Sequence, residues 1–168
     1  MPRRILFVCT GNICRSPTAE GVARGVAQKL GLDEAFEFDS AGTHGYHVGD
    51  PPDPRTIAAA RRRGYDLAHL RARRVTEFDF IRFDHVIAMG RDHLEWLQRA
   101  CPPLYHDKLT LLLEFSQRFD ENEVPDPYYG GLDGFEQVLD LVEDAATQLI
   151  RQLAVAHPDT VPEVSPKA

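Results

Sequence analysis

The sequence contains few cysteines, no long apolar run and no excess of positive charge, and each of these absences argues against a class of proteins. Three cysteines among 168 residues, without zinc-type spacing, indicate neither a disulfide framework nor a structural zinc site. No apolar run approaches the length of a membrane span, and Met1-Pro2-Arg3-Arg4 leads directly into a hydrophobic stretch, so we expect no signal peptide. The formal net charge is −7, whereas nucleic-acid-binding proteins usually have a basic face. We therefore expect a cytoplasmic protein that binds neither membranes nor nucleic acids.

The remaining composition is that of a globular domain, 43% hydrophobic and 27% charged. Short apolar runs alternate with segments of helical periodicity, which predicts an α/β three-layer sandwich around a central four-stranded parallel sheet. The domain is expected to span residues 1–156. Residues 157–168 contain three prolines and few large apolar side chains, which predicts a flexible tail. The four expected strands lie near residues 5–8, 36–39, 84–89 and 109–113.

Two predicted helices carry clear boundary signals. Asp53 and Pro54 are favourable first residues of a helix, and Gly64 is a typical stop. The arginines at positions 61–63 fall in the last turn of this helix, where we expect them to complement the helix dipole and face solvent. The final helix is predicted from Asp133 to about Leu153, because apolar residues recur there at helical spacing.

The most informative stretch joins the first predicted strand to the first predicted helix. Ile5 to Val8 has the length and composition of a buried parallel strand. Ser16 as N-cap and Pro17 at the first helical position predict where the helix begins. Between strand and helix lies a tight turn with the sequence Cys9-Thr10-Gly11-Asn12-Ile13-Cys14-Arg15-Ser16.

This turn suits a phosphate group. Backbone N–H groups in such a turn can point inward, and the helix N-terminus adds about half a positive charge. Arg15 can bind two phosphate oxygens at once, and the same field favours the thiolate form of Cys9. Gly11 permits a positive φ, which Asn12 also tolerates. Cys9 is thus placed to attack a bound phosphorus atom, although a cysteine and an arginine at this spacing alone would more often be structural.

The segment V-C-T-G-N-I-C-R-S-P, residues 8–17, resembles the signature of the low-molecular-weight protein tyrosine phosphatases. Asp126-Pro127-Tyr128-Tyr129 resembles the acid loop of that family, although Asp-Pro by itself is common in turns. The resemblance covers roughly residues 3–153. It implies a metal-free and cofactor-free hydrolysis of phosphotyrosine in proteins, in which Cys9 is the nucleophile, Arg15 binds phosphate and stabilises the transition state, and Asp126 is the general acid and base.

The resemblance also implies roles for the surrounding residues. The phosphate, or another oxyanion, is expected to bind to a loop and cleft formed by Thr10, Gly11, Asn12, Ile13, Cys14, Ser16, Tyr46, Tyr128 and Tyr129. Ser40 and His69 resemble the supporting residues that hydrogen-bond Asn12 and Ser16, and Ser16 is expected to donate to the Cys9 thiolate. Cys14 is either a reversible disulfide partner of Cys9 or a small buried side chain. We expect a monomer or weak dimer.

Three positions depart from the family pattern. Gly90 and His93 stand where many members have an aspartate and an asparagine, and these changes can affect loop rigidity or the docking of the acid loop. Tyr46 stands where several members have tryptophan, which bears on fine substrate preference.

Four other functions share parts of this pattern. A protein arginine phosphatase tends to carry threonine at the position of Ile13, so Ile13 favours tyrosine. An arsenate reductase needs two further cysteines, and only Cys101 lies outside the loop. A phosphocysteine carrier domain of a sugar transport system requires neither Arg15 nor Asp126. A non-catalytic phosphopeptide-binding module would leave both Cys9 and Asp126 unexplained.

Overall fold

The computed structural model of the chain describes residues 1–156, and the predicted tail lies outside the described residues. Four strands and five α-helices follow one another along this part of the chain, with short 3₁₀ helices at Pro103–Lys108 and Leu112–Phe115. Within it, no helix is both long and apolar enough to span a bilayer. In chain order the main elements are β1 (Arg3–Cys9), α1 (Arg15–Lys29), β2 (Phe36–Gly42), α2 (Pro54–Arg62), α3 (Glu77–Arg82), β3 (His85–Ala88), α4 (Arg91–Ala100), β4 (Leu109–Leu111) and α5 (Leu132–Ala156).

The strands form one parallel sheet in the order β2-β1-β3-β4. Alternate residues of β1 point to opposite faces: Ile5 and Phe7 pack with α1, α2 and α5, whereas Leu6 and Val8 pack with α3 and α4. Each face of the sheet is therefore covered by helices, which confirms the predicted α/β three-layer sandwich with a four-stranded parallel sheet.

The strand order places the site. The chain leaves β1 for β2 on one side, and β3 lies on the other side, so the order reverses at β1. Ligands of such sheets bind beyond the carboxyl ends of the strands at that reversal. Cys9 is the last residue of β1, and the turn that follows it lies at this edge.

Several boundaries differ from the predicted ones. β2 continues to Gly42 because its last residues pair with Phe7, Val8 and Cys9 of β1. β4 is only three residues long, since the apolar run ends in a 3₁₀ turn at Leu112. The expected capping of α1 by Ser16 is wrong: α1 begins at Arg15, and the Ser16 hydroxyl lies instead against Cys9.

The arginines at the end of α2 also differ from expectation. Asp53 caps α2 as predicted, and its side chain accepts a hydrogen bond from the Arg55 backbone. Arg63, however, does not simply face solvent. Its guanidinium pairs with three carboxylates of α5, and these raise its pKa although partial burial opposes the increase. Arg63 therefore fastens α2 to α5 through Glu136, Asp140 and Glu143.

Candidate active site

The turn after β1 has a run of backbone N–H groups without hydrogen-bond partners among the described residues. In the described chain, the N–H groups of residues 11–15 donate to neither backbone nor side-chain acceptors, whereas the carbonyls of Thr10 and Ile13 accept bonds from His44 and Asp53. The carbonyl groups are thus used to hold the turn, and the N–H groups remain available for an anion at the start of α1.

The left-handed residue of the turn is Asn12, with φ of 58°, and not Gly11. Of the two positions that the sequence marked as tolerant of a positive φ, Asn12 is the one that uses it. Gly11 instead allows a close approach, because a Cβ atom there would lie 3.0 Å from Cδ2 of His47. A side chain at position 11 would therefore require the His47 ring to shift, and position 12 is occupied by a residue that tolerates the left-handed region.

A buried hydrogen-bond network ends on the Cys9 thiol. Asn12 donates from Nδ2 to the hydroxyl oxygens of Ser16 at 2.8 Å and Ser40 at 2.9 Å. Ser16 Oγ lies 3.0 Å from Cys9 Sγ. Because Ser16 accepts from Asn12, its own hydrogen can point at Cys9, which is closer than the alternative acceptor, the Ala41 carbonyl at 3.5 Å. A hydrogen bond to the sulfur would stabilise a thiolate. The Arg73 backbone N–H donates to Asn12 Oδ1 at 3.0 Å and fixes the amide orientation.

Two residues that sequence reasoning missed anchor this network. Glu20 is 4% exposed and accepts a hydrogen bond of 2.7 Å from Ser40, and burial raises the pKa of its carboxyl. Arg24 donates to Glu20 at 2.8 Å. The only sequence signal for Glu20 was a carboxylate on the first turns of α1, where it resembled an ordinary helix residue.

The structure separates His69 from the loop that it was predicted to support. Its side chain is 61% exposed, and its Nδ1 lies 3.9 Å from Asp66. The supporting position beside Asn12 is filled by the backbone of Arg73, whose side chain is held by Asp39 and Asp79. The expected hydrogen bond between Asn12 and Ser40 is present, with Ser40 as the acceptor. The predicted role of His69 is wrong, because the Arg73 backbone N–H takes its place.

Arg15 and Asp126 lie side by side above the turn. Arg15 is only 9% exposed and donates from Nη1 to the carbonyl of Val124 at 3.4 Å. Its Nη2 lies 3.5 Å from Asp126 Oδ2, and the Tyr128 N–H donates to Asp126 Oδ1 at 3.1 Å. A group that binds phosphate oxygens and a group that can donate a proton therefore face the same space.

This space is a cleft of about 140 Å³ at the carboxyl edge of the sheet. Tyr46 and Tyr129, which are 73% and 89% exposed, stand at its rim. His47 was not identified from the sequence, where only its position in a Gly-, His- and Pro-rich loop could have marked it. The lining residues are Cys9, Thr10, Gly11, Ile13, Cys14, Arg15, Tyr46, His47, Asp126, Tyr128 and Tyr129.

The two loop cysteines are in different environments. Both are buried free thiols. Burial raises the pKa of Cys14 to about 12, so this thiol stays protonated. Cys9 has the Ser16 hydroxyl beside its sulfur. The network therefore favours Cys9 as the nucleophile.

The departure at His93 lies directly beneath the phosphate loop. His93 is 2% exposed, and its Nε2 lies 2.8 Å from Thr10 Oγ1. Burial, followed by the charge of Arg15, lowers the pKa of His93 to about 4. His93 is therefore neutral near pH 7 and adds a hydrogen-bond partner to the loop without adding charge.

Comparison with known proteins agrees with this geometry. A sequence model of the family described as "Low molecular weight phosphotyrosine protein phosphatase" matches residues 4–158. A low molecular weight protein-tyrosine-phosphatase of Streptomyces coelicolor is 46% identical, with 89% of this chain and 93% of that protein covered. Among solved structures, a protein tyrosine phosphatase of Entamoeba histolytica is 42% identical with a TM-score of 0.90, covering 92% of this chain and 98% of that chain. YfkJ of Bacillus subtilis is 37% identical with a TM-score of 0.86, covering 93% and 97%. The chain thus belongs to the low molecular weight phosphotyrosine protein phosphatase family and is an enzyme of that family.

Proposed function

We propose that the protein hydrolyses phosphotyrosine monoesters in proteins through a phosphocysteine intermediate. The observation that carries the proposal is the convergence of Cys9, the free N–H groups of the turn, Arg15 and Asp126 on one cleft. The names of the relatives support the substrate class.

In the first step, the Cys9 thiolate attacks phosphorus in line with the tyrosyl oxygen, a P–S bond forms and the P–O bond breaks. The N–H groups and Arg15 hold the three other phosphate oxygens, where negative charge is spread in the transition state. Asp126 enters as the carboxylic acid and gives its proton to the departing tyrosyl oxygen.

In the second step, Asp126 is a carboxylate and takes a proton from water, which attacks the phosphocysteine. The P–S bond breaks, inorganic phosphate leaves and the thiolate returns. The Ser16 hydroxyl, 3.0 Å from the sulfur, stabilises the thiolate in both steps. No electrons are transferred to or from an outside reagent.

Substrate choice follows from the walls of the cleft. Ile13, Tyr46, Tyr128 and Tyr129 surround the opening with apolar and aromatic surface. An aryl ring can pack between such walls, whereas the shorter phosphoserine does not reach the turn.

We further propose that residues 1–156 form the catalytic domain, that the protein is a monomer or weak dimer, and that it acts in the cytoplasm. The three free thiols among the described residues support a reducing compartment.

The test compares initial rates of phosphate release from matched phosphotyrosine, phosphoarginine and phosphoserine peptides, with and without vanadate and without added metal. We expect fast, vanadate-sensitive release from phosphotyrosine alone. Preference for phosphoarginine would keep the Cys9 chemistry and overturn the substrate. The absence of release from all three peptides would overturn the enzyme mechanism.

A further inference from the structure

The tip of the acid loop, residues 125–130, has few attachments to the protein. Within residues 1–156, one hydrogen bond joins this tip to the rest of the chain, from Arg55 Nη2 to the carbonyl of Tyr128 at 3.0 Å. The ion pair between Arg15 and Asp126 is longer, at 3.5 Å. Val124, just before the tip, is anchored to Met89 by its N–H, and Pro127 packs into the core. Asp126 itself is placed by the Tyr128 N–H, and the backbone of Tyr128 is held by Arg55.

Arg55 is held from several directions. Its Nε and Nη2 donate to the two carboxylate oxygens of Asp53 at 3.0 Å and 2.8 Å, the forked arrangement that arginine forms with a carboxylate. The guanidinium carbon also lies 5.5 Å from the ring centre of Tyr128 and 4.8 Å from that of Phe135, within the range of a cation–π contact. A planar guanidinium fits this arrangement, and a lysine ammonium does not.

Asp53 in turn is fixed to the phosphate loop, the turn of residues 9–16 after β1. Its backbone N–H donates to the carbonyl of Ile13 at 2.9 Å, and its side chain is mostly buried. A continuous series of contacts thus runs from Ile13 through Asp53 and Arg55 to Tyr128. The Tyr128 N–H completes the series by donating to the Asp126 carboxylate.

We propose that Arg55 is a positioning residue that fixes Asp126 over the phosphate loop. This inference rests on the proposed function, in which Asp126 protonates the leaving oxygen. Arg55 acts through the backbone of Tyr128, so its loss weakens proton donation and leaves phosphate binding and attack by Cys9 in place.

This role differs from two simpler ones. If Arg55 only stabilised the start of α2, its replacement would lower stability and slow all substrates equally. If Arg55 bound acidic residues of a protein substrate, its replacement would change peptide turnover and leave small aryl phosphates unaffected. Substrates with different leaving groups separate these roles, because a good leaving group departs without a proton and a poor one does not.

The experiment measures kcat/KM, which reports the steps up to phosphocysteine formation, for p-nitrophenyl phosphate and phenyl phosphate. We expect R55K to lower kcat/KM about tenfold for phenyl phosphate and less than about threefold for p-nitrophenyl phosphate, a fraction of the 10²–10⁴ range of general acid catalysis. R62K, an arginine replacement on the same helix that contacts Glu136, is the matched control and should leave both rates unchanged. R55Q, which removes the charge of Arg55, is the second variant. The thermal unfolding midpoint of each variant shows whether that variant is folded.

The same measurement in the D126N background completes a double-mutant cycle. If Arg55 acts through Asp126, R55K should cost less than about twofold once Asp126 is replaced. An equal cost of R55K in both backgrounds, or an equal loss with both substrates, would overturn the role of Arg55 and leave the proposed function standing. A D126N variant with unchanged phenyl phosphate turnover would instead overturn Asp126 as the acid and this inference with it.

Discussion

The phosphate loop and the acid loop supply the two halves of the site in opposite ways. Cys9, Asn12 and Ser16 are buried and joined by hydrogen bonds to β2 and to the segment before α3. Asp126 is 43% exposed at its side chain, and the tip around it is tied by Arg55 and Arg15. The groups proposed to bind phosphate are thus built into the core, where packing fixes their geometry. The proposed proton donor is carried on a more exposed segment with fewer contacts.

The largest expected effect is that of replacing Cys9, the proposed nucleophile in the buried half of the site. C9S should abolish phosphate release, because a serine hydroxyl does not ionise at neutral pH as a thiol does. The fold should survive, since serine is nearly isosteric. Phosphate release measures the activity and a thermal unfolding curve measures the stability. Normal turnover in this variant would contradict the proposed mechanism.

The exposed half should respond differently. D126N is expected to lower kcat/KM for phenyl phosphate by about 10²–10⁴, the usual contribution of a general acid. Its free energy of unfolding should change by no more than about 1 kcal/mol, because this side chain is partly exposed and its ion pair with Arg15 is long. Steady-state kinetics and urea unfolding of the same preparation test the two expectations together. A threefold or smaller loss of rate would show that another residue is the general acid.

Replacing Asn12 sharpens the comparison, because it is expected to lower both stability and catalytic turnover. N12A removes donors to Ser16 and Ser40 and places a Cβ-bearing residue without local hydrogen bonds at φ of 58°. We expect about 1–3 kcal/mol of lost stability from the unmade buried hydrogen bonds, together with slower turnover. N12G also lacks the side-chain donors but adopts a positive φ without strain, so it should be roughly 1 kcal/mol more stable than N12A. Equal stability of N12A and the native protein in urea would contradict the view that these hydrogen bonds hold the turn in place.

His93 extends the comparison to pH. In the unfolded chain His93 binds a proton near pH 6.5, whereas in the folded protein its pKa is about 4. The contribution of neutral His93 to the free energy of unfolding is therefore fully present above pH 6.5 and is lost as the pH falls towards 4. The loss attributable to His93 is about 3 kcal/mol across this window. Urea unfolding from pH 4 to pH 7.5 should therefore show a flatter profile for H93Q than for the native protein. Glu20, whose raised pKa acts in the opposite direction, is present in both proteins and cancels in the difference. Parallel profiles would show that His93 titrates normally.

The smallest effect is expected at His69. Because its side chain is exposed, H69A should change stability by less than about 0.5 kcal/mol and leave kcat/KM within about twofold of the native value. A tenfold loss of activity would restore the role that the sequence motif suggested.

Local patterns predicted the parts of this protein that depend on neighbours in sequence. The apolar run of β1, the cap at Asp53 and the left-handed tolerance of Asn12 are properties of a few consecutive residues, and the structure contains all three. His69 and Arg63 were misassigned for the opposite reason. Their surroundings are set by residues far along the chain, and no local pattern contains that information.

The sequence by itself determined the fold class, the family and the loop that carries Cys9 and Arg15, because a strand, a tight turn and a helix start are written in consecutive residues. The tertiary structure alone decided what surrounds that loop. Glu20 reaches Asn12 through Ser40, His93 lies beneath Thr10, and Arg55 joins α2 to the acid loop. These contacts bridge residues that are far apart in the chain, and they exist only because the parallel sheet brings the ends of its strands to a single edge.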